Sequence, residues 1–315
     1  MTVDERSHDE TTPLLVPDVA PSELPKEDGS STASIWKAES WLLCQYSAPL
    51  IATYLLQYGF TVITTIVAGH LSAEDLGAAS LGLTTKNIIG YAFFEGMATA
   101  LDTLCAQAYG SGKTTGVGLH VQRMALLMTV VMIPIGGFWL LSPWILPTLI
   151  PQYDLAVKAG VFLQISIIGL PGYAFFEAGK RFLQAQGDFK SGMMVLIICT
   201  PLNAFLSWFF AVKLDMGLNG AAIGQALAND MCPILLYLYV ITFGRWSLEC
   251  WGGWSWAAFH EWGPMMRLST AGTAVNLAEW LAFEILSVSS SYIDTNHLAA
   301  QTVLITVSVV IPGHF

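Results

Sequence analysis

NLAEWLAFEIL, residues 276–286, is an apolar run of helical length that carries two acids, Glu279 and Glu284. No other charged residue lies between Arg267 and Asp294. Glu279 follows Arg267 by 12 residues, about 18 Å along a helix. That is near the middle of a bilayer whose hydrocarbon core is roughly 30 Å thick. An ionised side chain at that depth costs about 2.5–3.5 kcal/mol on insertion scales, so an acid kept there marks a functional site. The competing account is a protonated glutamate that only packs between helices.

The rest of the chain supports a membrane setting. Of its 315 residues, 54% are hydrophobic and 11% charged, against about 25% charged in a soluble domain. The charge is also uneven. Residues 1–34 hold eight acids and two bases, and their Pro-, Ser- and acid-rich composition buries too little apolar surface to order itself. A disordered acidic cytosolic tail is therefore expected over 1–34. No cleavable signal peptide is visible, because the N-terminus is acidic and polar. Cys44, Cys105, Cys199, Cys232 and Cys250 lack metal-ligand spacing and fall mostly in apolar runs, so they are expected to pack as small hydrophobes.

Apolar runs centre on 42–68, 77–100, 122–146, 155–177, 192–212, 217–243, 264–292 and 297–312, each near the ~20 residues that cross a bilayer. The predicted fold is an all-α polytopic membrane protein. Lys113, Arg123, Lys180, Arg181, Lys190, Arg245 and Arg267 fall on the tail side of these spans, against Lys158 and Lys213 on the other. The basic excess predicts a cytosolic N-terminus. LGAASL at 76–81 also resembles LAAQTV at 298–303, an offset that accommodates six helices. One complete six-helix lobe over 35–245 and the first two helices of a second over 246–315 are expected. The same offset sets Glu279 on Gln57 and Glu284 on Val62.

GSGKTT at 110–115 tempts a phosphate-loop assignment, but Gln107 stands where the pattern needs glycine, and a helix rather than a strand precedes it. A helix-linking turn is expected instead. ALDTLCAQAYG at 100–110 is more specific: it resembles the end of the second helix in eukaryotic members of the multidrug and toxic compound extrusion (MATE) family. AGHLSAEDLGAASL (68–81), KRFLQAQG (180–187), GLNGAAIGQAL (217–227) and AEWLAFEIL (278–286) resemble further stretches of that family, in the same order.

The resemblance implies a twelve-helix, two-lobed antiporter that expels organic cations or other amphipathic compounds in exchange for protons or sodium. It implies no cofactor beyond the coupling ion. It makes Glu279 the coupling-ion and substrate-cation ligand, with Glu284 as the second acid of that motif. Residue chemistry agrees, since an acid out of water favours its neutral form and can trade a proton for a cation. Five residues apart on a helix is about 140° of rotation, so both acids face one narrow cavity only if the helix bends.

Prokaryotic relatives carry an acidic site in the first lobe, where this chain has Gln57, Asn203 and Ser207. Gln57 and Asn203 are therefore candidate polar binding residues or plain packing residues. Thr306 stands where some animal members have a further acid. Other polar residues at membrane depth are Lys86, Glu95, Glu177 and Asp230. Lys86 and Glu95 are expected to pair across neighbouring helices or snorkel, while Glu95 and Asp102, seven apart, share a face. The hexamer GYAFFE occurs at 90–95 and again at 172–177, as expected of chance composition. Glu10, Leu14 and Leu15 fit an acidic dileucine pattern that resembles adaptor-read sorting signals for vacuole or lysosome, the competing account being a solvated tail; a vacuolar or plasma membrane location is expected.

Two other functions compete. A transporter of anionic solutes would place basic residues in the cavity, and only Lys86 qualifies. A membrane enzyme would need clustered histidines or acids, but the six histidines are scattered. The chain ends at IPGHF inside the eighth predicted helix, so a fragment is expected, with a non-transporting product as one outcome.

Overall fold

The computed structural model describes residues 32–243 and 245–291. Glu10, Leu14 and Leu15 of the tail, Thr306, the repeat copy at 298–303 and the eighth helix expected over 297–312 lie outside the described residues. The chain divides into two units, Met1–Gln45 and Tyr46–Phe315. The second contains the helical bundle.

Among the described residues the secondary structure is helical throughout. The elements are α1 (Thr32–Leu71), α2 (Ala73–Lys86), α3 (Ala92–Gly110), α4 (Thr114–Leu149), α5 (Tyr153–Ser166), α6 (Leu170–Gln184), α7 (Lys190–Trp208), α8 (Gly217–Phe243) and α9 (Gly263–Ser291). Four helical stretches are long and apolar enough to cross a membrane: Glu39–Leu71, Thr114–Leu149, Lys190–Lys213 and Gly217–Phe243. The bent pair α5–α6 makes a fifth. The remaining two, α2–α3 and α9, carry Lys86, Glu95, Asp102 and Glu279, the polar residues that thin their apolar faces.

Local signals explain where the helices start and break. Ser72 caps α2 by accepting the Asp75 N–H at 2.9 Å, while its hydroxyl donates to Asp75 Oδ2 at 2.7 Å. The N-terminal end of α2 also carries Glu74 and Asp75, which suits the positive end of a helix dipole. Both acids meet Lys158 of α5, at 2.9 and 3.3 Å. A single wide turn, Asn87–Tyr91, separates α2 from α3; such π turns often mark functional sites. The α5–α6 pair bends by 56°. Pro171 in the first turn of α6 has no N–H to continue the helix from α5.

The connection from α8 to α9 is clamped onto α4. Gln122 donates to Gly253 O at 2.7 Å and accepts from the Ser255 N–H at 3.1 Å. Arg123 bonds Ala257 O and pairs with Glu261 at 3.1 Å. From this anchor α9 runs back along α3, where the two backbones nearly touch. A Cβ on Gly272 would lie 2.4 Å from Gly96 O, and one on Gly96 would lie 2.5 Å from Thr273 Cα. Close approach of this kind uses small residues, as membrane helices commonly do. Substituting Gly272→Val should therefore destabilise the protein by about 1–3 kcal/mol or more through overpacking. Thermal melting in detergent checks this, with Gly263→Ala, where nothing crowds the added Cβ, as the neutral control.

Candidate functional site

A cavity of about 600 Å³ opens among α1, α3, α6, α8 and α9, within the range that accepts a drug-sized ligand. Its polar lining comes from every one of these helices. Gln57 lies on α1, Glu95 and Asp102 on α3, Glu177 and Arg181 on α6, Asn229 on α8, and Asn276 and Glu279 on α9. Tyr54, Tyr91, Tyr173 and Trp280 supply aromatic wall.

The α6 side is an ion network. Lys180 Nζ donates to Glu177 Oε1 at 2.7 Å and to Gln57 Oε1 at 3.2 Å, and Gln57 Nε2 donates back to Glu177 Oε1 at 2.7 Å. Glu177 and Lys180 are each buried to within 1% of side-chain exposure. The ammonium also sits over the Tyr54 ring at 4.9 Å. One residue on, Arg181 pairs with Asp102 across to α3. Arg181–Asp102 thus ties α6 to α3 by charge, and Gln57 ties α1 to the Glu177–Lys180 pair by hydrogen bonds.

The α3 side differs. Glu95 accepts a hydrogen bond from Tyr173 Oη and a longer one, 3.5 Å, from Asn276 Nδ2, which also donates to Ala92 O at 2.8 Å. Asn229 Nδ2 donates to Tyr91 Oη at 2.8 Å. Tyr91 and Tyr173 stack face to face, 3.6 Å between centroids and 5° between planes.

The structure redistributes the sequence candidates. Gln57 and Glu279 share the cavity. Asn203 is fully buried instead, donating to Phe60 O at 3.5 Å and accepting from Ser207 at 3.2 Å, between α1 and α7. Glu284 lies on α9, but its side chain is outside the described residues. Glu95 and Asp102 do face one cavity, as their spacing predicts.

Lys86 and Glu95 each bond a neighbouring helix, the first of the two expected alternatives, and Lys86 does not snorkel. Lys86 is 1% exposed and donates to Gln225 Oε1 at 2.6 Å, with its charge over the rings of Tyr91 and Phe162. The wide turn at Asn87–Tyr91 lies between them, and the two side chains meet different neighbours, Gln225 of α8 and Tyr173 of α6. Sequence patterns do not single out Glu177, Tyr173, Lys180 and Arg181 as site residues. The signal that could find them is the repeated hexamer. The first copy begins in the last two residues of the wide turn at Asn87–Tyr91, and the second follows the bend before α6. There they meet ring to ring, with Glu95 and Glu177 as their last residues.

Bundled apolar helices enclosing a polar, acid-bearing cavity are the class of fold that holds a binding site at membrane depth. The chain belongs to the MatE family, whose model matches residues 49–209, half of its length. Within that family it sits on the eukaryotic branch. It is 39% identical over 295 residues to the uncharacterized transporter YDR338C of Saccharomyces cerevisiae, covering 91% of this chain and 42% of that protein. It is 29% identical to multidrug and toxin extrusion protein 1 of Xenopus tropicalis, over 88% of this chain and 48% of the relative. Among solved structures, the eukaryotic MATE transporter AtDTX14 superposes with a TM-score of 0.78 at 26% identity, over 87% of this chain and 62% of that one. The chain thus spans about half the length of the curated relatives it matches.

Proposed function

We propose that the protein serves as a proton-coupled antiporter that exports amphipathic organic cations, with Glu279 as the exchanging acid. One observation carries this reading. Among the described residues lining the cavity, four are acids (Glu95, Asp102, Glu177, Glu279) and one, Arg181, is basic. Aromatic walls around surplus negative charge suit a cation with apolar bulk. An anionic solute would meet repulsion there instead.

Coupling follows from competition. A carboxylate that holds a cation only when ionised releases it on taking up a proton, so protons entering from one side expel cation bound from the other. The coupling acid falls to α9 because the corresponding α1 position is Gln57, an amide that cannot titrate and is already bonded to Glu177 and Lys180. The basic loops favour a cytosolic N-terminus, with export out of the cytosol into a vacuole or across the plasma membrane.

Proteoliposomes loaded with ethidium test the reading. Uphill efflux should follow an imposed pH gradient and stop when a protonophore collapses it. Efflux driven by a sodium gradient alone would replace protons with sodium, and no gradient-dependent efflux would overturn antiport.

A further inference from the structure

Beside the proposed exchange acid on α9, a second carboxylate in the same cavity has no stated role. Glu95 and Glu177 occupy equivalent places at the ends of the two GYAFFE copies, yet their surroundings differ. Glu177 is neutralised by Lys180 at 2.7 Å and held by Gln57. Glu95 accepts from neutral donors, the Tyr173 hydroxyl and the Asn276 amide. Among the described residues no lysine or arginine forms an ion pair with it. Both acids line the cavity, but Glu177 is fully buried and Glu95 is partly exposed there.

We infer that Glu95 is a second cation-exchange acid in the cavity, set there by the stacked tyrosines of the two hexamers and facing Asn276 and Glu279 of α9. Such a role rests on the antiport reading, but its geometry is independent of Glu279. The stacking of Tyr91 on Tyr173 fixes the ring whose hydroxyl orients the Glu95 carboxylate. Gly172 lets α6 come close enough to α8 for that stack: its N–H donates to Asp230 Oδ1 at 3.1 Å, and an added Cβ would lie 2.5 Å from Asp230 Cα. Asn276 then ties the carboxylate to the helix that bears Glu279, three residues further along the same face.

The charged and titratable groups around Glu95 define what it can exchange. From α6 these are Tyr173, Glu177 and Lys180. The cavity adds Tyr91, Asp102, Arg181 and Glu279. The ionisable side chains of α4, which also packs on α3, are His120 and Arg123, and Arg123 is committed to Glu261. Both cations of α6 are engaged by acids, Lys180 by Glu177 and Arg181 by Asp102. An entering organic cation would therefore find Glu95 already oriented and not neutralised by a paired lysine or arginine. The exchange balances simply: protonated Glu95 loses its proton to cavity water, and the carboxylate then holds the cation by charge with no covalent bond formed. The ligand class is a monovalent organic cation with aromatic or quaternary character.

The test uses the chain in lipid nanodiscs with tetraphenylphosphonium as the probe. Quenching of tryptophan fluorescence reports binding, since Trp280 lines the cavity, and a pH dye in weak buffer counts released protons. Glu95→Gln should bind about tenfold or more weakly, as for loss of a charge from a desolvated contact, and should release fewer protons, while Glu95→Asp keeps proton release. Wild-type behaviour in Glu95→Gln, alongside a defect in Glu279→Gln, would overturn the inference and leave antiport standing. A wild-type protein that binds no probe would overturn both. Should Glu95→Gln fail to fold, Tyr173→Phe decides, because it removes the donor and keeps the ring stack. A shifted pH dependence of binding then supports the role of Glu95, and an unchanged one sinks it.

Discussion

Glu279→Gln is expected to abolish proton-coupled efflux while leaving the protein folded. The substitution keeps the size and hydrogen-bonding reach of the side chain but removes both its charge and its exchangeable proton. Loss of a charge partner in a desolvated contact costs about 2–5 kcal/mol of binding, so cation affinity should fall roughly thirtyfold or more. Efflux should lose its response to an imposed pH gradient as well, because the amide has no proton to trade. Proteoliposome efflux of a fluorescent cation, with and without the gradient, reads both effects. Unchanged coupled efflux in the variant would move the exchange role elsewhere in the cavity.

Lys180→Met is expected to be the most destabilising single change at the site. It strands the Glu177 carboxylate among α1, α3 and α6 with only Gln57 to donate to it. Removing one partner of a buried ion pair typically costs about 3–5 kcal/mol, since the remaining charge has lost its compensation out of water. The double variant Glu177→Gln with Lys180→Met should recover most of that loss, because no buried charge then remains in the pair. The difference between single and double variants isolates the coupling. Detergent melting curves followed by circular dichroism give the comparison. A single variant that melts like the parent would show that the pair contributes little.

Much of the architecture was legible without coordinates, because the bilayer imposes length and apolarity on whatever crosses it. The runs at 122–146, 192–212 and 217–243 correspond to α4, α7 and α8, and the 155–177 run to the α5–α6 pair. The break inside that pair was marked by Pro171, yet its angle of 56° was not, since proline removes a hydrogen bond without choosing a direction. The wide turn at Asn87–Tyr91 carried no local signal at all: NIIGY is compatible with ordinary helix, and only packing against neighbouring helices selects the wider turn.

The site was legible only in part, for a related reason. Glu279 was conspicuous as a lone acid in an apolar run, and charge cost alone pointed to it. Glu95 and Glu177 were equally visible as letters, but their roles depend on partners on other helices, 78 and 120 positions away. Lys86 illustrates the point. The sequence suggested a partner on a neighbouring helix, and only the fold names it as Gln225 of α8.

What the sequence determined by itself was therefore the membrane-spanning character, the approximate spans, the family pattern and the acid at 279. These depend on composition along one segment at a time. The tertiary structure decided which buried charges cancel and which do not: Lys180 is spent on Glu177, Arg181 on Asp102, and Glu95 is left to neutral donors. That difference is set by distances of a few ångströms between helices, over which electrostatic energies in a water-poor cavity change by several kcal/mol. No single helix contains that information, and the meeting of the two hexamers across α3 and α6 supplies it.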